Sequence, residues 1–319
     1  MSAYTPSGAE IVIVGGVTLV VTLLLALGVS RLRPGPRARV AAWLLVIGAT
    51  AFAERITRDE PSGIRMLGII SVLFYAMKAV VAVDGGARLP FWRFLAFAAA
   101  WPGMRPALFQ TLGGPARRGG GRVALHGLAC LAAGTGLVLL AREVARATGS
   151  RGAATLGLLP GLSLILHFGI LGVMAGGWRM LGADVGPLFR APLRSRSLSE
   201  FWGRRWNLAF SEMTAIGVYR PVSGWAGRSI GLAVAFAASG AMHELAISVP
   251  VRSGYGLPLA YFALHGALMT VERRLEAQGR PVHRRAWLGR LWTLWWLAAP
   301  LPVLFHRPFL RGVVWPLLE

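Results

Sequence analysis

The sequence predicts an all-α fold: a polytopic transmembrane bundle of about eight spans, joined by interfacial or re-entrant pieces. Three observations carry this. Hydrophobic residues fill 55% of 319 positions, and the mean hydropathy is +0.57, which is the composition of an integral membrane chain. Apolar windows approaching the roughly 20 residues a bilayer requires recur from end to end. The formal net charge of +21 comes from arginines gathered between those windows. Such a charge suggests nucleic acid, but its placement in short loops fits topology and anionic-lipid contact instead. One membrane domain over 1–319 follows, with no soluble appendage.

The windows can be taken in order. Residues 11–27 follow Glu10 with no basic leader and no small-residue cleavage motif, so they read as a retained span. Arg31, Arg33, Arg37 and Arg39 crowd the next connection, and 40–53 follows. A balanced loop, with three arginines against three acids over 54–65, precedes 67–83. Residues 89–109 carry Arg93, Arg105 and the break Trp101-Pro102-Gly103, the pattern of an interfacial or re-entrant piece. The window 123–140 holds Cys130, the only cysteine; it excludes an internal disulfide and reads as a small buried hydrophobe. Gly157 and Gly161 mark a close helix contact in 156–176. A long basic connection runs from Arg179 to Arg228. Residues 230–249 follow, with Ala237 and Ala241 as a second small-residue pair. Arg252 stands alone before 256–271, and a basic stretch from Arg273 to Arg290 leads into 288–304. The alternation places the N-terminus outside and the basic loops in the cytoplasm of a bacterial-type inner membrane.

Chemistry concentrates at Met242-His243-Glu244, inside GLAVAFAASGAMHELAISV. An ionisable group at bilayer depth costs roughly 2–3 kcal/mol, so such residues face a bundle interior or a wet cavity. Successive residues lie about 100° apart on a helix. His243 therefore faces a cavity while Glu244 meets a neighbouring helix or an arginine. A neutral imidazole in a dry site can take a proton from an alcohol. His283 and His306, beside arginines at span ends, read as interfacial. His126 lies near a span start. His167 and His265 share the apolar setting of His243, where the ordinary role is a core histidine bonded to a neighbouring helix. No histidine pair has i, i+3 or i, i+4 spacing and no nearby cysteine helps, so no metal site is expected.

A second polar cluster, FWGRRWN, spans 201–207. Ser197-Leu-Ser-Glu200 fits a capping box, which predicts a helix start near Leu198. Phe201, Trp202 and Trp206 anchor it at the interface, and Arg204 and Arg205 are placed to meet phosphates. FWGRRWN, then VYRPV at 218–222, then SGAMHE at 239–244, with Phe262-Ala-Leu-His265-Gly266 and Glu272 beyond, resembles the membrane-bound O-acyltransferase family. Its wax synthase branch, whose plant members transfer fatty acyl groups from acyl-CoA to long-chain alcohols, is the nearer match. Trp101-Pro102-Gly103-Met104 is similar to bacterial relatives.

The resemblance covers roughly the last 125 residues, with the catalytic core in about 190–275. It implies that His243 is the catalytic histidine and Asn207 its polar partner. Trp202, Arg204, Arg205, Trp206, Glu244 and His265 form the substrate-binding set. It implies acyl-CoA as co-substrate with no separate cofactor, a lipophilic alcohol as acceptor, and membrane lipids as surroundings. Diacylglycerol, a sterol-like or polyketide alcohol, or a sugar are alternative acceptors, and a transporter or scramblase is the alternative class. A helix starting near Arg228 puts His243 about 22 Å deep. The nucleotide cannot follow it there cheaply, so a tunnel is expected, and Asn207 joins the site only if its segment dips into the membrane.

Overall fold

The computed structural model describes residues 2–319 except the side chains of Ser2 and His283, so the interfacial reading of His283 lies outside the described residues. Among the described residues there are helices and connecting turns but no strands. In chain order the helices are α1 (Ala9–Arg31), α2 (Pro36–Ile56), α3 (Ser62–Asp84), the short α4 (Phe91–Ala100) and α5 (Gly120–Thr148). Then come α6 (Arg151–Met180), α7 (198–205), α8 (208–226), α9 (Arg228–Val251), α10 (Leu257–Ala277), and α11 (Ala286–Leu304) with α12 (Arg307–Leu318), bent from each other by 69°.

Five of these, α1, α3, α5, α6 and α9, are long and apolar enough to cross a membrane; α11 and α12 make a sixth if the bent pair is one span. The expectation of eight is therefore too high. Helices α2 and α10 each have 21 residues, but Arg37, Arg39, Glu54 and Arg55 in the first and Glu272, Arg273, Arg274 and Glu276 in the second dilute their apolar faces. Residues 89–109 form α4, a non-helical break at Trp101–Arg105, and a single turn at Pro106–Phe109, with α4 too short an apolar helix to cross a membrane.

Small residues set the helix contacts. On α5, Gly120, Gly127, Gly134 and Ala141 recur every seven residues and are all buried. A Cβ on Gly127 would lie 2.6 Å from the Val173 nitrogen, and one on Gly134 would lie 2.7 Å from the Gly161 carbonyl. The expected Gly157 and Gly161 lie on the facing seam of α6. Ala237 and Ala241, by contrast, are exposed and join no helix contact. Gly240 does so instead, since a Cβ there would lie 2.8 Å from Leu259 Cα on α10. Cys130 is only half-buried, one turn from exposed His126, with Sγ 3.7 Å from Nε2. His306 is buried at the α11–α12 bend, against Gly254 of the loop after α9, and its Nδ1 accepts the Phe309 N–H at 3.3 Å.

Candidate active site

The site is built from α7, the start of α8, and the facing sides of α9 and α10. The capping box forms as a helix start: Ser197 Oγ accepts the Glu200 N–H at 3.0 Å, and Glu200 Oε2 accepts the Arg196 N–H at 2.8 Å. A second carboxylate, buried Glu272 of α10, holds the same turn. Its oxygens accept the N–H groups of Leu198 and Ser199 at 2.7 and 3.0 Å, the Ser199 hydroxyl at 3.0 Å and the Trp292 indole at 3.0 Å. A carboxylate at a helix N-terminus satisfies its free N–H groups and complements its dipole.

The chain then widens into a π-helical turn over Phe201–Arg205, a form frequent at functional sites. It stops at Asn207, whose φ of 43° is left-handed, a conformation that Asn tolerates better than most residues. The Asn207 Oδ1 caps the next helix by accepting the Phe210 N–H at 3.2 Å, which leaves its amide nitrogen as a donor. Ser211 Oγ donates to the Trp202 carbonyl at 2.5 Å and closes the loop on itself.

On α9, His243 is the last residue before a π-helical turn at Glu244–Ser248. Its Nδ1 lies 2.7 Å from the Ser239 carbonyl. A carbonyl only accepts, so Nδ1 carries the proton and Nε2 the lone pair. The ring lies against Phe262 at 4.2 Å and Phe210 at 5.3 Å between centroids. Phe210 links Asn207 and His243: its backbone N–H is capped by Asn207 and its ring lies against the His243 imidazole. His265, fully buried, repeats the arrangement: Nδ1 donates to the Tyr261 carbonyl at 2.9 Å. Its Nε2 has no well-formed partner, and neither does the buried Nε1 of Trp202, whose ring is 5.5 Å away. His167 follows the same rule, with Nδ1 3.0 Å from Ser163 Oγ. All three apolar-window histidines bond four residues back in their own helix, and His265 also faces the Trp296 backbone of the neighbouring helix, as expected.

The remaining candidates separate. Trp202 packs on Phe262, so it belongs to the His243 wall. Trp206 turns the other way, stacking on Phe201 and meeting Phe189 and His167. Arg205 is engaged by Glu200 at 2.6 Å and donates to the Arg190 and Ala191 carbonyls. Arg204 is exposed and makes no ion pair among the described residues. Glu244 meets no arginine: its Oε1 accepts the N–H groups of Gly256 and Leu259 and so caps α10, while Oε2 is buried without a partner.

Two parts of the site escaped sequence reasoning. Phe210, in the first turn after Asn207, carries no polar signal. Lys78 did carry one, as the only lysine in the chain and placed mid-window in SVLFYAMKAVVAV. It is fully buried, and its Nζ donates to the carbonyls of Phe97, Trp101 and Gly103 at 3.1, 2.7 and 2.7 Å. That clamps the Trp101-Pro102-Gly103 break. Arg105, just beyond it, pairs with Glu212 of α8 at 3.0 Å and ties the break to the helix that Asn207 caps.

A multi-helix membrane protein with a buried imidazole on one helix and a capping amide linked to it through Phe210 is the class these observations define. Residues 185–264 match the model of the membrane bound O-acyl transferase family. Among similar proteins are two of Arabidopsis thaliana. "Probable long-chain-alcohol O-fatty-acyltransferase 9" is 34% identical over 145 residues, 41% of this chain and 42% of the relative. "Probable long-chain-alcohol O-fatty-acyltransferase 6" is 31% identical over 142 residues, 39% of this chain and 40% of the relative. The "Long-chain-alcohol O-fatty-acyltransferase" of Simmondsia chinensis is 37% identical over 101 residues, 29% of each chain. The family match supports the resemblance to the membrane-bound O-acyltransferases read from FWGRRWN and SGAMHE, and the named relatives support its wax synthase branch. The chain spans about two fifths of the length of the first relatives it matches.

Proposed function

We propose that the protein moves an acyl group from acyl-CoA to the hydroxyl of a lipophilic alcohol, forming a wax-type ester and free CoA, without a separate cofactor. The observation that carries this reading is the fixed imidazole. Ser239 holds the proton on Nδ1 of His243 and leaves Nε2 as a base beside Phe210, whose backbone Asn207 caps. Nε2 takes the acceptor's hydroxyl proton as its oxygen attacks the thioester carbonyl. The C–O bond forms, the C–S bond breaks, and the imidazolium returns the proton to the leaving CoA sulfur. The free amide nitrogen of Asn207 donates to the carbonyl oxygen as negative charge develops there, an interaction worth about 3 kcal/mol where such donors are preorganised. Trp202 extends the wall that carries His243, with His265 behind it, and the buried indole N–H of Trp202 suits an oxygen-bearing reactant. Arg204, free at the surface, meets the nucleotide phosphates, with Arg205 holding the turn. The arginine-rich loops support a cytoplasmic nucleotide side in a bacterial-type inner membrane.

The test is an acyl-transfer assay on purified protein, pairing labelled long- and short-chain acyl-CoAs with hexadecanol, diacylglycerol and sterols. Ester from hexadecanol is expected to disappear in His243→Ala and to fall about a hundredfold in Asn207→Ala. Undiminished ester from a folded His243→Ala preparation would overturn the assignment. Ester from another acceptor alone would move the substrate class and leave the mechanism standing.

A further inference from the structure

A surface hollow of about 520 Å³ lies away from His243, between the α4 region and the start of α5, and is lined by Arg93, Thr111, Gly113, Gly114, Arg117 and Arg118. No acidic residue occurs between Asp84 and Glu143, so the whole segment forming it is cationic. Asp184 is close by in the bracing loop, but it is exposed and does not line the hollow.

The walls are rigid. Gly113 and Arg117 donate their N–H groups to the carbonyls of Leu181 and Arg179 at 3.0 and 2.8 Å, and Thr111 Oγ1 donates to the Gly182 carbonyl at 2.9 Å. Gly182 has φ +90°, and a Cβ there would lie 2.6 Å from the Gly114 carbonyl, so the two turns meet backbone to backbone. The Arg179 guanidinium donates to the Arg118 carbonyl at 2.8 Å and fixes the last turn.

The arginines are positioned but unspent. Arg93 donates through Nη1 to the Gln110 carbonyl, yet its Nε is buried without a partner. The Nε of Arg117 is buried and unpartnered as well. Buried donors are nearly always satisfied by protein, water or an ion, so the two orphaned Nε–H groups mark guanidiniums whose donors the protein alone does not use up. Planar guanidinium forks match phosphate oxygens in pairs. The uncapped start of α5 at Gly120 adds the positive end of a 29-residue helix two residues beyond Arg118.

We propose that this hollow binds a phosphoryl group, carried by a soluble nucleotide or by an anionic lipid headgroup. The proposal is independent of the ester chemistry, so binding is the readout. Protein in detergent is titrated with adenosine 3′,5′-bisphosphate, and protein in nanodiscs is scored for retained phosphatidylglycerol by native mass spectrometry. Both arms compare wild type, Arg93→Gln/Arg117→Gln/Arg118→Gln, Arg204→Gln and His243→Ala. The triple variant is expected to lose at least about tenfold in one arm while His243→Ala loses nothing. Loss in the nucleotide arm assigns the soluble source, and loss in the lipid arm assigns the headgroup. If the triple variant fails to fold, Arg118→Gln alone, exposed and making no side-chain bond, is expected to lose about threefold in the same arm. Unchanged binding in both arms, or loss only in Arg204→Gln, would overturn the proposal.

Discussion

At the scale of single residues, the site depends on charges that are fully engaged before any substrate arrives. Lys78 gives each of its three N–H donors to a carbonyl of the Trp101 break. Lys78→Met keeps the volume but strands those carbonyls, which is expected to cost about 3 kcal/mol. A fall in the thermal midpoint in detergent checks this; an unchanged midpoint would mean the break is held by other groups. Glu200 gives a second test. Burial by itself would raise its carboxyl, but the Arg196 N–H and the Arg205 guanidinium outweigh it and hold it below the ordinary 4.5. A depressed carboxyl contributes stability that is present above 4.5 and is lost as the pH falls through its lower folded value. Amide exchange over 198–206 should therefore accelerate in that acid window. Glu200→Gln should exchange faster at neutral pH and lose the acid step; an acid step that survives in Glu200→Gln would assign it to another group.

At the scale of elements, two helix seams decide where the site residues stand. The α5–α6 seam is glycine against glycine, and its expected response is asymmetric around the helix. Gly127→Val would push a side chain into the Val173 backbone, whereas Gly136→Val meets nothing within 4 Å. The first is expected to destabilise by about 3 kcal/mol, whereas the second should stabilise by a few tenths, since Val has a higher helix propensity than Gly and meets no obstacle there. Equal midpoints for the two variants would mean that α5 and α6 do not pack through this face. The Gly157–Gly161 half of the seam was legible because small residues four apart mark one helix face. Its partner, the sevenfold spacing from Gly120 to Ala141, was hidden in a glycine-rich helix where many spacings compete. The capping box was legible for a local reason: Ser197 and Glu200 bond within one turn. Phe210 and Glu272 were not, because their roles depend on which helix lies opposite, and a single chain of letters does not encode that neighbour. Ala237 and Ala241 misled for the same cause. Their spacing is right, but the face that meets α10 is the one holding Gly240 and Phe236.

At the scale of the whole molecule, contacts between distant loops sort the chain ends into two layers. Ser7 donates to Glu60 at 2.9 Å, Arg65 to the Pro250 carbonyl at 2.9 Å and Arg142 to the Leu317 carbonyl at 3.0 Å, so these connections share one layer. Arg39 pairs with Asp84 at 2.9 Å, Arg117 meets Arg179, and Glu272 meets Leu198, which places the arginine-rich connections in the other. Helices α2 and α10 also join loops of the two layers, but their charged ends keep them out of the helices apolar enough to cross a membrane. Helix α9 enters from the basic layer at Arg228 and leaves near Val251, which sets His243 about 22 Å from its start. Cys130 is the only cysteine, so Cys130→Ala gives a background for labelling with a membrane-impermeant maleimide. Arg194→Cys and Tyr255→Cys, both at exposed positions, lie on either side of α9. They are expected to label from opposite faces of sealed vesicles, with Arg194→Cys reached from the cytoplasmic face. Labelling from the same face would remove α9 as a span and bring His243 within reach of water.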